Sequence, residues 1–469
     1  MSSLIPGDWK NPTSFPDVAT MRRPVALGKT RPIHWRLQQL ERLSAALAEN
    51  EAAALEALAR DLGKPALEAS FELVAIRQEI ALSRRHLRRW MTPRPVPLEL
   101  ILQPGRAWVE RQPLGCVLII GPWNYPLQLT LRPLVSALAA GNSAVVKPSE
   151  QAPHTAELIA EVLQRAFPPE VVQVVLGDAA VAARLLEERF DHVFFTGGSR
   201  VGSQVMGACA RSLTPVTLEL GGKSPVIVLK DADLAVTARR IAWGKWFNAG
   251  QTCVGPDHLL VEQDVRDELV AAIASELKRF HGPHPLRSDD LGRIVNDSSF
   301  QRLEGLLCGA RRNGQVLAGG RSDRSERWIE PTLLAVNSPE DPLMEEELFG
   351  PLLPVLTISG LEEALELGRG RACPLVFYLF SRSRKAQRRV LEASRSGGVV
   401  FNDVVVQVMA AALPFGGVGA SGMGSYHGEA GFRTFSHERS VLSRAFLLDI
   451  PLRYPPYAGK LPLLRRLTA

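Results

Sequence analysis

Two residues able to do chemistry together lie in one stretch of the chain, Leu218 to Pro256. Glu219 ends an apolar run, and Cys253 follows in a turn rich in glycine, asparagine, glutamine and threonine. A thiol is mostly protonated at neutral pH, so a nucleophilic cysteine needs backbone dipoles or a nearby base that favour the thiolate. A carboxylate nearby can also accept a proton from the thiol or from an attacking water. The pair predicts covalent catalysis by Cys253 with Glu219 as the base.

The alternative for Cys253 is a structural role, since cysteine is often a small buried hydrophobic residue. Cys116, in GCVLII, and Cys308, in EGLLCGA, have that setting and are expected in a strand core and a helix core. The residues before Cys253 are instead small and polar, Gly250 to Thr252. This neighbourhood favours the catalytic interpretation.

The composition indicates a globular protein of more than one domain. The chain has 469 residues, 46% hydrophobic and 22% charged, and single cores stop growing near about 250 to 300 residues. The net charge of +6 comes mainly from scattered Lys and Arg, which does not favour nucleic-acid binding. Five cysteines without CxxC spacing argue against a disulfide framework and against zinc. Neither a signal peptide nor a membrane-spanning run is recognised, so we predict a cytoplasmic protein.

The N-terminal part of the chain is expected to be mainly helical. Prolines in residues 1–32 indicate an irregular lead-in. Leucines at helical spacing predict one long amphipathic helix from Trp35 to Leu62, and a second helical stretch runs from about Ala66 to Trp90. The proline-rich segment Pro93 to Pro104 is expected to form an exposed arm or hairpin.

From Gly115 onward, short apolar runs alternate with helical stretches. This alternation predicts βαβ units on a parallel sheet, a doubly wound nucleotide-binding domain. The pattern returns from Asp231 to about Ser396 and predicts a second α/β domain. Ligands in such sheets bind at the carboxyl ends of the strands, so the loops at those positions are candidates for binding.

Three of these loops carry polar or glycine-rich sequences. Gly197 and Gly202 are spaced GxxxxG, a weak signal on its own, but the helix after Ser199 would present free N–H groups to a pyrophosphate. Lys147 and Glu150 could equally be ordinary surface charges. Asn124 could equally satisfy the backbone of its own turn.

With these loops in view, the chain resembles the aldehyde dehydrogenase superfamily. The resemblance rests on two segments, Glu219-Leu220-Gly221-Gly222-Lys223 and Gly250-Gln251-Thr252-Cys253, which occur in this order. The resemblance implies that the Cys253 thiolate attacks an aldehyde and that Glu219 activates water. It also implies that the Asn124 amide and the Cys253 backbone N–H hold the oxyanion, and that no metal takes part.

The resemblance further implies an NAD(P) cofactor and an apolar substrate pocket. The residues expected at the cofactor are Lys147, Glu150, Gly197, Ser199, Gly202, Leu220, Glu347 and Phe349. The residues expected at the substrate are Tyr125, Trp243 and Phe401. Because Glu150 would repel a 2′-phosphate, we expect NAD to be preferred, with NADP possible.

Within the superfamily, the chain is similar to class 3, the branch that includes fatty aldehyde dehydrogenases. The similarity rests on Ala242-Trp243-Gly244-Lys245, Ser425-Tyr426-His427-Gly428 and Leu452-Arg453-Tyr454-Pro455-Pro456-Tyr457. It implies a homodimer. Gln407 departs from the branch, which often has His at this position near the substrate funnel, so the fine specificity stays open.

The domains expected on this basis have three parts. Residues 1–90 and 106–218 would bind NAD(P), residues 219–418 would carry catalysis, and residues 91–105 and 419–469 would form a bridging arm and a C-terminal tail. The expected reaction is oxidation of a medium- or long-chain fatty or apocarotenoid-type aldehyde to the acid, through a thiohemiacetal and a thioester.

Two other functions compete with this prediction. A reductase of the same fold that acylates coenzyme A would release the thioester to a thiol, and Glu219 argues against it. A non-catalytic protein on the same scaffold is disfavoured because Cys253, Glu219 and Asn124 are all present.

The tail combines apolar and cationic residues, namely Phe446, Leu447, Leu448, Leu461, Leu463, Leu464 and Leu467 with Arg444, Arg453, Lys460, Arg465 and Arg466. An apolar face flanked by cations is typical of an interfacial membrane element. The prolines of this segment break any long helix. Peripheral membrane contact is therefore one interpretation, and packing across a dimer partner is the other.

Overall fold

The computed structural model describes residues 15–99, 102–447, 449 and 451–468. The strands are β1 Arg94–Val96, β2 Gly105–Pro113, β3 Cys116–Ile120, β4 Ser143–Lys147, β5 Val172–Val174, β6 His192–Thr196, β7 Val216–Glu219, β8 Pro225–Val228, β9 His258–Glu262, β10 Val316–Ala318, β11 Ser322–Asp323, β12 Trp328–Ile329, β13 Thr332–Val336, β14 Leu352–Ile358, β15 Val376–Phe380, β16 Gly398–Phe401, β17 Gly422–Met423 and β18 Ser436–Arg444.

The helices are α1 Val18–Ala26, α2 Ile33–Glu49, α3 Glu51–Leu62, α4 Ala66–Met91, α5 Gln128–Ala140, α6 Pro153–Ala166, α7 Ala179–Leu185, α8 Ser199–Ala210, α9 Leu234–Trp246, α10 Arg266–His281, α11 Asp297–Arg312, α12 Leu361–Gly368, α13 Arg384–Ala393, α14 Gly428–Thr434 and α15 Leu461–Thr468. In the part of the chain that the structure covers, no helix has the length and apolar character required to cross a bilayer.

The first sheet has the strand order β17-β7-β6-β3-β4-β5, and only β17 runs antiparallel to its neighbour. The chain begins in the middle of the parallel part, at β3, and winds outward in both directions. Such an order reverses between β3 and β6, and ligands bind outside the carboxyl ends of the strands at that reversal. The expected doubly wound nucleotide-binding fold is confirmed.

Alternation along β3 explains why this sheet is covered on both faces. Val117 and Ile119 pack into the core formed with α2 to α6, whereas Cys116, Leu118 and Ile120 pack into the core on the side of α1, α7 and α8. Successive side chains of a strand point to opposite faces of the sheet. A strand that is apolar at every position therefore requires a layer of helices on each face.

The second sheet has the order β10-β13-β14-β9-β8-β15-β16, parallel except for β10. It forms the second α/β unit that the sequence predicts. The loop with Cys253 runs from the end of α9 into β9, so this sheet supports the cysteine. Glu219 ends β7 of the first sheet, and the two candidate catalytic residues therefore come from different sheets.

The proline-rich arm is a hairpin, as expected, and it belongs to a three-stranded antiparallel sheet of β1, β2 and β18. Two details differ from the expected boundaries. Residues 106–113, assigned to the nucleotide-binding domain, lie in β2 and pair with the arm. Residues 422–423, assigned to the arm, form β17 and pair with β7 of the first sheet.

Two predictions near the N terminus were wrong. The lead-in contains α1, because the Asp17 carboxylate caps it by accepting the N–H groups of Ala19 and Thr20 at 3.0 and 3.1 Å. The long helix from Trp35 to Leu62 is two helices, α2 and α3, which meet at Asn50. There the backbone leaves the helical region (φ −111°), a break that leucine spacing does not report. Residues 1–14 of the lead-in lie outside the described residues.

Candidate active site

Two cavities meet at Cys253. The larger, about 990 Å³, lies at the carboxyl ends of the first sheet's strands, and its wall includes Asn124, Glu219 and Cys253. The smaller, about 70 Å³, is lined mainly by aromatic and aliphatic side chains on the other side of the thiol. We name them the cofactor cleft and the funnel. The residues that line both are Leu129, Cys253, Phe415 and Tyr426.

The loop before Cys253 has an unusual backbone. Asn248 and Ala249 have φ of 53°, and Gly250 has φ of 77°, a region that side chains with a Cβ rarely adopt. A Cβ on Gly250 would lie 2.3 Å from the Gly350 carbonyl oxygen, so only glycine fits there. Strained loops of this kind persist where surrounding contacts determine them.

Gln251 provides part of that support. Its side-chain amide donates to the carbonyls of Asn248 (3.1 Å) and Arg293 (2.9 Å) and accepts the N–H of Val295 (3.0 Å). The next residue, Thr252, shares a hydrogen bond with the buried Tyr125 hydroxyl (2.7 Å). Cys253 therefore sits at the end of a rigid loop.

The electrostatics around Cys253 differ from the expectation of a dipole-stabilised thiolate. Burial, with a smaller contribution from the carboxyl groups of Glu347 and Glu219, raises the pKa of the Cys253 thiol to about 12, although two backbone N–H groups act in the opposite direction. This environment favours the thiol over the thiolate at neutral pH. A proton acceptor is therefore needed before nucleophilic attack.

Glu219 has the environment of a group that exchanges protons at this site. Glu219 is 3% exposed, and neither of its carboxyl oxygens has a hydrogen-bond partner among the described atoms. Burial raises the pKa of Glu219 well above its usual range. Buried carboxyl groups are normally paired, so an unpaired one beside a cavity is available for proton transfer.

Asn124 lies in the loop between β3 and α5 and lines the cofactor cleft. It is 4% exposed, and its side-chain amide donates to the Gln251 carbonyl at 3.1 Å. A primary amide has two N–H donors, so the second can face the cleft. The structure thus brings Asn124, Glu219 and Cys253 to one cavity wall.

The cofactor cleft fits a dinucleotide. Gly198 has open space where a side chain would be, and α8 begins there without a side-chain cap, which leaves its first N–H groups for a phosphate. Lys147 and Glu150 also line the cleft and pair with each other (Nζ to Oε2, 2.9 Å). Gly202 packs against Leu220, and a Cβ on this glycine would meet the Leu220 side chain at 2.7 Å.

The other residues assigned to the cofactor lie around the same cleft. Burial raises the pKa of Glu347 to about 8, and its carboxyl group lies where a side chain on Gly221 would be. Phe349 packs edge-on against Trp123 with ring centroids 5.4 Å apart. Ser199 is different, since its hydroxyl donates to the Ala420 carbonyl (3.2 Å) and it does not line the cleft.

Two of the three residues assigned to the substrate line the funnel. Tyr125 and Trp243 are part of its wall. Phe401 is not: it ends β16 and packs against the hydrophobic core on one face of the second sheet. The assignment of Phe401 to the pocket is therefore corrected. Strand alternation turns this side chain into the core, which the motif alone does not reveal.

Sequence reasoning missed several funnel residues. Phe71 and Ala75 of α4, Phe247 and His427 belong to the wall. His427 is 2% exposed with both ring nitrogens unpaired among the described atoms, and burial lowers its pKa well below the usual range. Gln407 lies beside the funnel and donates to the Tyr378 hydroxyl (3.2 Å). Helical periodicity could have identified Phe71 and Ala75 as buried, but not as part of a cavity.

A doubly wound sheet, a nucleotide-sized cleft and a cysteine beside an unpaired carboxyl group define an oxidoreductase that works through a thiol. Comparisons of this chain with protein families and with known proteins agree with this class. The model of the aldehyde dehydrogenase family matches residues 20–441.

The most similar proteins include human aldehyde dehydrogenase family 3 member B1, 47% identical over 94% of each chain. Another is the rat aldehyde dehydrogenase named dimeric and NADP-preferring, 44% identical over 93% of this chain and 96% of the relative. A Staphylococcus aureus AldH structure described as substrate-bound superposes with a TM-score of 0.93, at 41% identity over 96% and 98% of the two chains. The chain belongs to the aldehyde dehydrogenase family, and it is an NAD(P)-dependent aldehyde dehydrogenase.

Proposed function

We propose that the enzyme oxidises medium- to long-chain apolar aldehydes, such as fatty or apocarotenoid-type aldehydes, to carboxylic acids. The observation that supports this is the funnel, whose wall of Phe71, Trp243, Phe247, Val408 and Met409 leads to the Cys253 thiol. An apolar wall favours a hydrocarbon chain because each buried CH₂ contributes about 0.8 kcal/mol. The polar end of the aldehyde would then lie next to the cofactor cleft.

In the proposed mechanism, the Cys253 thiol gives up its proton to solvent and the resulting thiolate attacks the carbonyl carbon. The oxyanion that forms accepts hydrogen bonds from the Asn124 amide and the Cys253 backbone N–H. When bound, the nicotinamide cofactor supplies the acceptor for the hydride that leaves the substrate carbon. Glu219 takes a proton from water, the water oxygen attacks the thioester, and the carboxylic acid leaves as the C–S bond breaks. Its raised pKa makes Glu219 a strong base once it is ionised.

The N-terminal end of α8, which has no side-chain cap, would hold the cofactor through its free N–H groups. Side chains around the cleft would also contact the cofactor, including Lys147, Glu150, Glu347 and Phe349. We propose that NAD is preferred, because the Glu150 carboxylate would oppose a 2′-phosphate. The rat relative is named NADP-preferring, and the Lys147–Glu150 pair offers a route to dual use, since a separated Lys147 could face that phosphate.

An aldehyde series graded by length tests the proposed substrate class. We expect kcat/KM to rise from about three carbons upward, by up to about fourfold per CH₂, until the funnel is filled. NADH formation in the presence and absence of coenzyme A is measured for each aldehyde. A flat or falling profile would reject the lipid-derived substrate, and turnover that requires coenzyme A would support the acylating alternative.

We further propose a cytoplasmic homodimer, in line with the rat relative named dimeric, whose tail touches a membrane surface. Phe446, Leu447, Leu461 and Leu463 are exposed, and Arg465 and Arg466 lie in the last turn of α15. Leu448 and the side chain of Leu467 lie outside the described residues. Exposed apolar groups next to cations favour anionic bilayers.

Removal of residues 459–469 tests the tail. We expect the truncated enzyme to lose sedimentation with anionic liposomes, while activity on a short soluble aldehyde is retained. Gel filtration of both forms is the control. Unchanged sedimentation would contradict the membrane role, and conversion to monomers would support the alternative in which the tail packs on the partner.

A further inference from the structure

The start of helix α4 contacts the loop that carries Asn124. Lys64, just before the helix, donates through Nζ to the Asn124 carbonyl (2.8 Å) and also to Glu72. Glu72 in turn accepts the N–H groups of Leu127 and Gln128 (3.1 and 3.0 Å) at the beginning of α5. The Lys64 and Glu72 side chains are 1% and 0% exposed.

The same turn of α4 contacts the cysteine loop. Glu68, four residues before Glu72 and on the same helix face, accepts the Asn248 N–H at 2.9 Å. The Asn248 side chain donates to the carbonyls of Asn124 (2.8 Å) and Gln251 (3.1 Å). The carbonyl of Asn124 thus receives two donors, one from Lys64 and one from the left-handed segment before Cys253.

A buried ammonium group is an expensive way to hold a loop. Burial lowers the pKa of Lys64, and the carboxylates of Glu72 and Glu68 act in the opposite direction. A well-packed apolar residue would often stabilise the fold as well or better. What an apolar residue cannot do is donate a hydrogen bond that sets the orientation of the Asn124 peptide.

We propose that Lys64 is a positioning residue for the oxyanion site. By holding the Asn124 carbonyl, it keeps the Asn124 side-chain amide beside Gln251 and within reach of a substrate on Cys253. This rests on the proposed oxyanion role of Asn124. Lys64 lines neither cavity among the described residues. Its ammonium group also lies 4.1 Å from the ring centroid of Tyr125, so the experiment has to separate an effect through Asn124 from one through the funnel wall.

A double-mutant cycle tests the proposal, with Lys64→Met and Asn124→Ala made singly and together. We expect Lys64→Met to slow the pre-steady-state burst of NADH by about 10- to 100-fold, since a small misplacement of a catalytic group has effects of this size. The dissociation constant for NAD should stay within about twofold. In the Asn124→Ala background, the same substitution should cost less than about threefold, because the group it positions is gone.

Arg132→Met is the matched control. Arg132 of α5 also forms a buried ion pair with a carboxylate of α4, Glu79, at 3.0 Å and with side chains 1% and 0% exposed. Its described hydrogen bonds go to Glu79 and the Val408 carbonyl. We expect any rate loss in this variant to multiply with that of Asn124→Ala. If Lys64→Met does not fold, Lys64→Gln, which keeps a donor, is used in the same cycle and should show a smaller, equally non-additive loss.

The outcomes separate this proposal from the one on which it rests. Multiplying losses for Lys64 and Asn124 variants would overturn the role of Lys64 and leave the oxyanion role of Asn124 in place. An Asn124→Ala enzyme with the normal burst would overturn both. Loss of the burst in Cys253→Ser with intact NAD binding would still support the proposed reaction in that case.

Discussion

The cofactor cleft and the funnel share the wall at Cys253 but are built in different ways. The cleft is bounded mainly by the loops that follow β3, β4, β6 and β7 and by α7 and α8, so many residues of its wall are near one another in the chain. The funnel takes one or a few side chains each from α4, the start of α5 with Tyr125 before it, α9, the cysteine loop and residues 405–427. The difference teaches that the cofactor site depends largely on contiguous motifs, whereas the substrate choice depends on residues that are far apart in the chain.

The two cavities also differ in their titratable groups. Glu219 and Glu347, both with a raised pKa because of burial, lie on the cleft side. The titratable groups of the funnel wall are neutral, since burial raises the pKa of Tyr125 and lowers that of His427. Changes in the cleft should therefore alter rate, cofactor use and thiol reactivity, and leave the chain-length profile unchanged.

The largest effect is expected for Glu219→Gln. The amide cannot accept a proton from water, so deacylation should slow by about 100-fold or more. A burst of about one NADH per active site should remain, followed by little turnover, and the ratio of kcat/KM for long and short aldehydes should not change. Stopped-flow absorbance measures the burst.

Cys253→Ser is the control for that burst, because an alcohol is a far poorer nucleophile than a thiolate. It should have no burst and normal NAD binding. Loss of the burst in Glu219→Gln as well would mean that Glu219 also deprotonates the thiol.

A smaller effect is expected for Glu347→Gln. Above a pH of about 8, Glu347 is charged and opposes the thiolate. Removal of this charge should lower the pKa of Cys253, so alkylation by iodoacetamide at about pH 9 should become roughly three- to tenfold faster. The rate is followed by mass spectrometry of the modified peptide. Equal rates in the two enzymes would contradict the electrostatic coupling across the cleft.

The smallest effect is expected for Glu150→Gln. Loss of the carboxylate removes repulsion toward a 2′-phosphate and releases Lys147, so kcat/KM for NADP relative to NAD should rise by about fivefold, equivalent to about 1 kcal/mol. Both cofactors are compared with one saturating aldehyde. A native enzyme that already prefers NADP would refute the proposed NAD preference.

Much of the fold was predictable because its signals are local. The strands β3 to β6 and the helices between them follow from apolar runs and helical spacing, and the hairpin follows from its prolines. The division of residues 35–62 into two helices was not predicted, because the break at Asn50 has no strong sequence signal. The arm's pairing with β18 involves residues more than three hundred positions apart, which no local pattern encodes.

The candidate site divides in the same way. Cys253, Glu219 and Asn124 could be proposed from short motifs, because residue type and immediate neighbours determine which chemistry is possible. Only tertiary structure decided their convergence on one wall, the packing of Phe401 against the core, and the contacts of Lys64 with Asn124. It also decided the raised pKa of the Cys253 thiol, because desolvation and the field of Glu347 depend on what is packed around the sulfur and not on its neighbours in the chain.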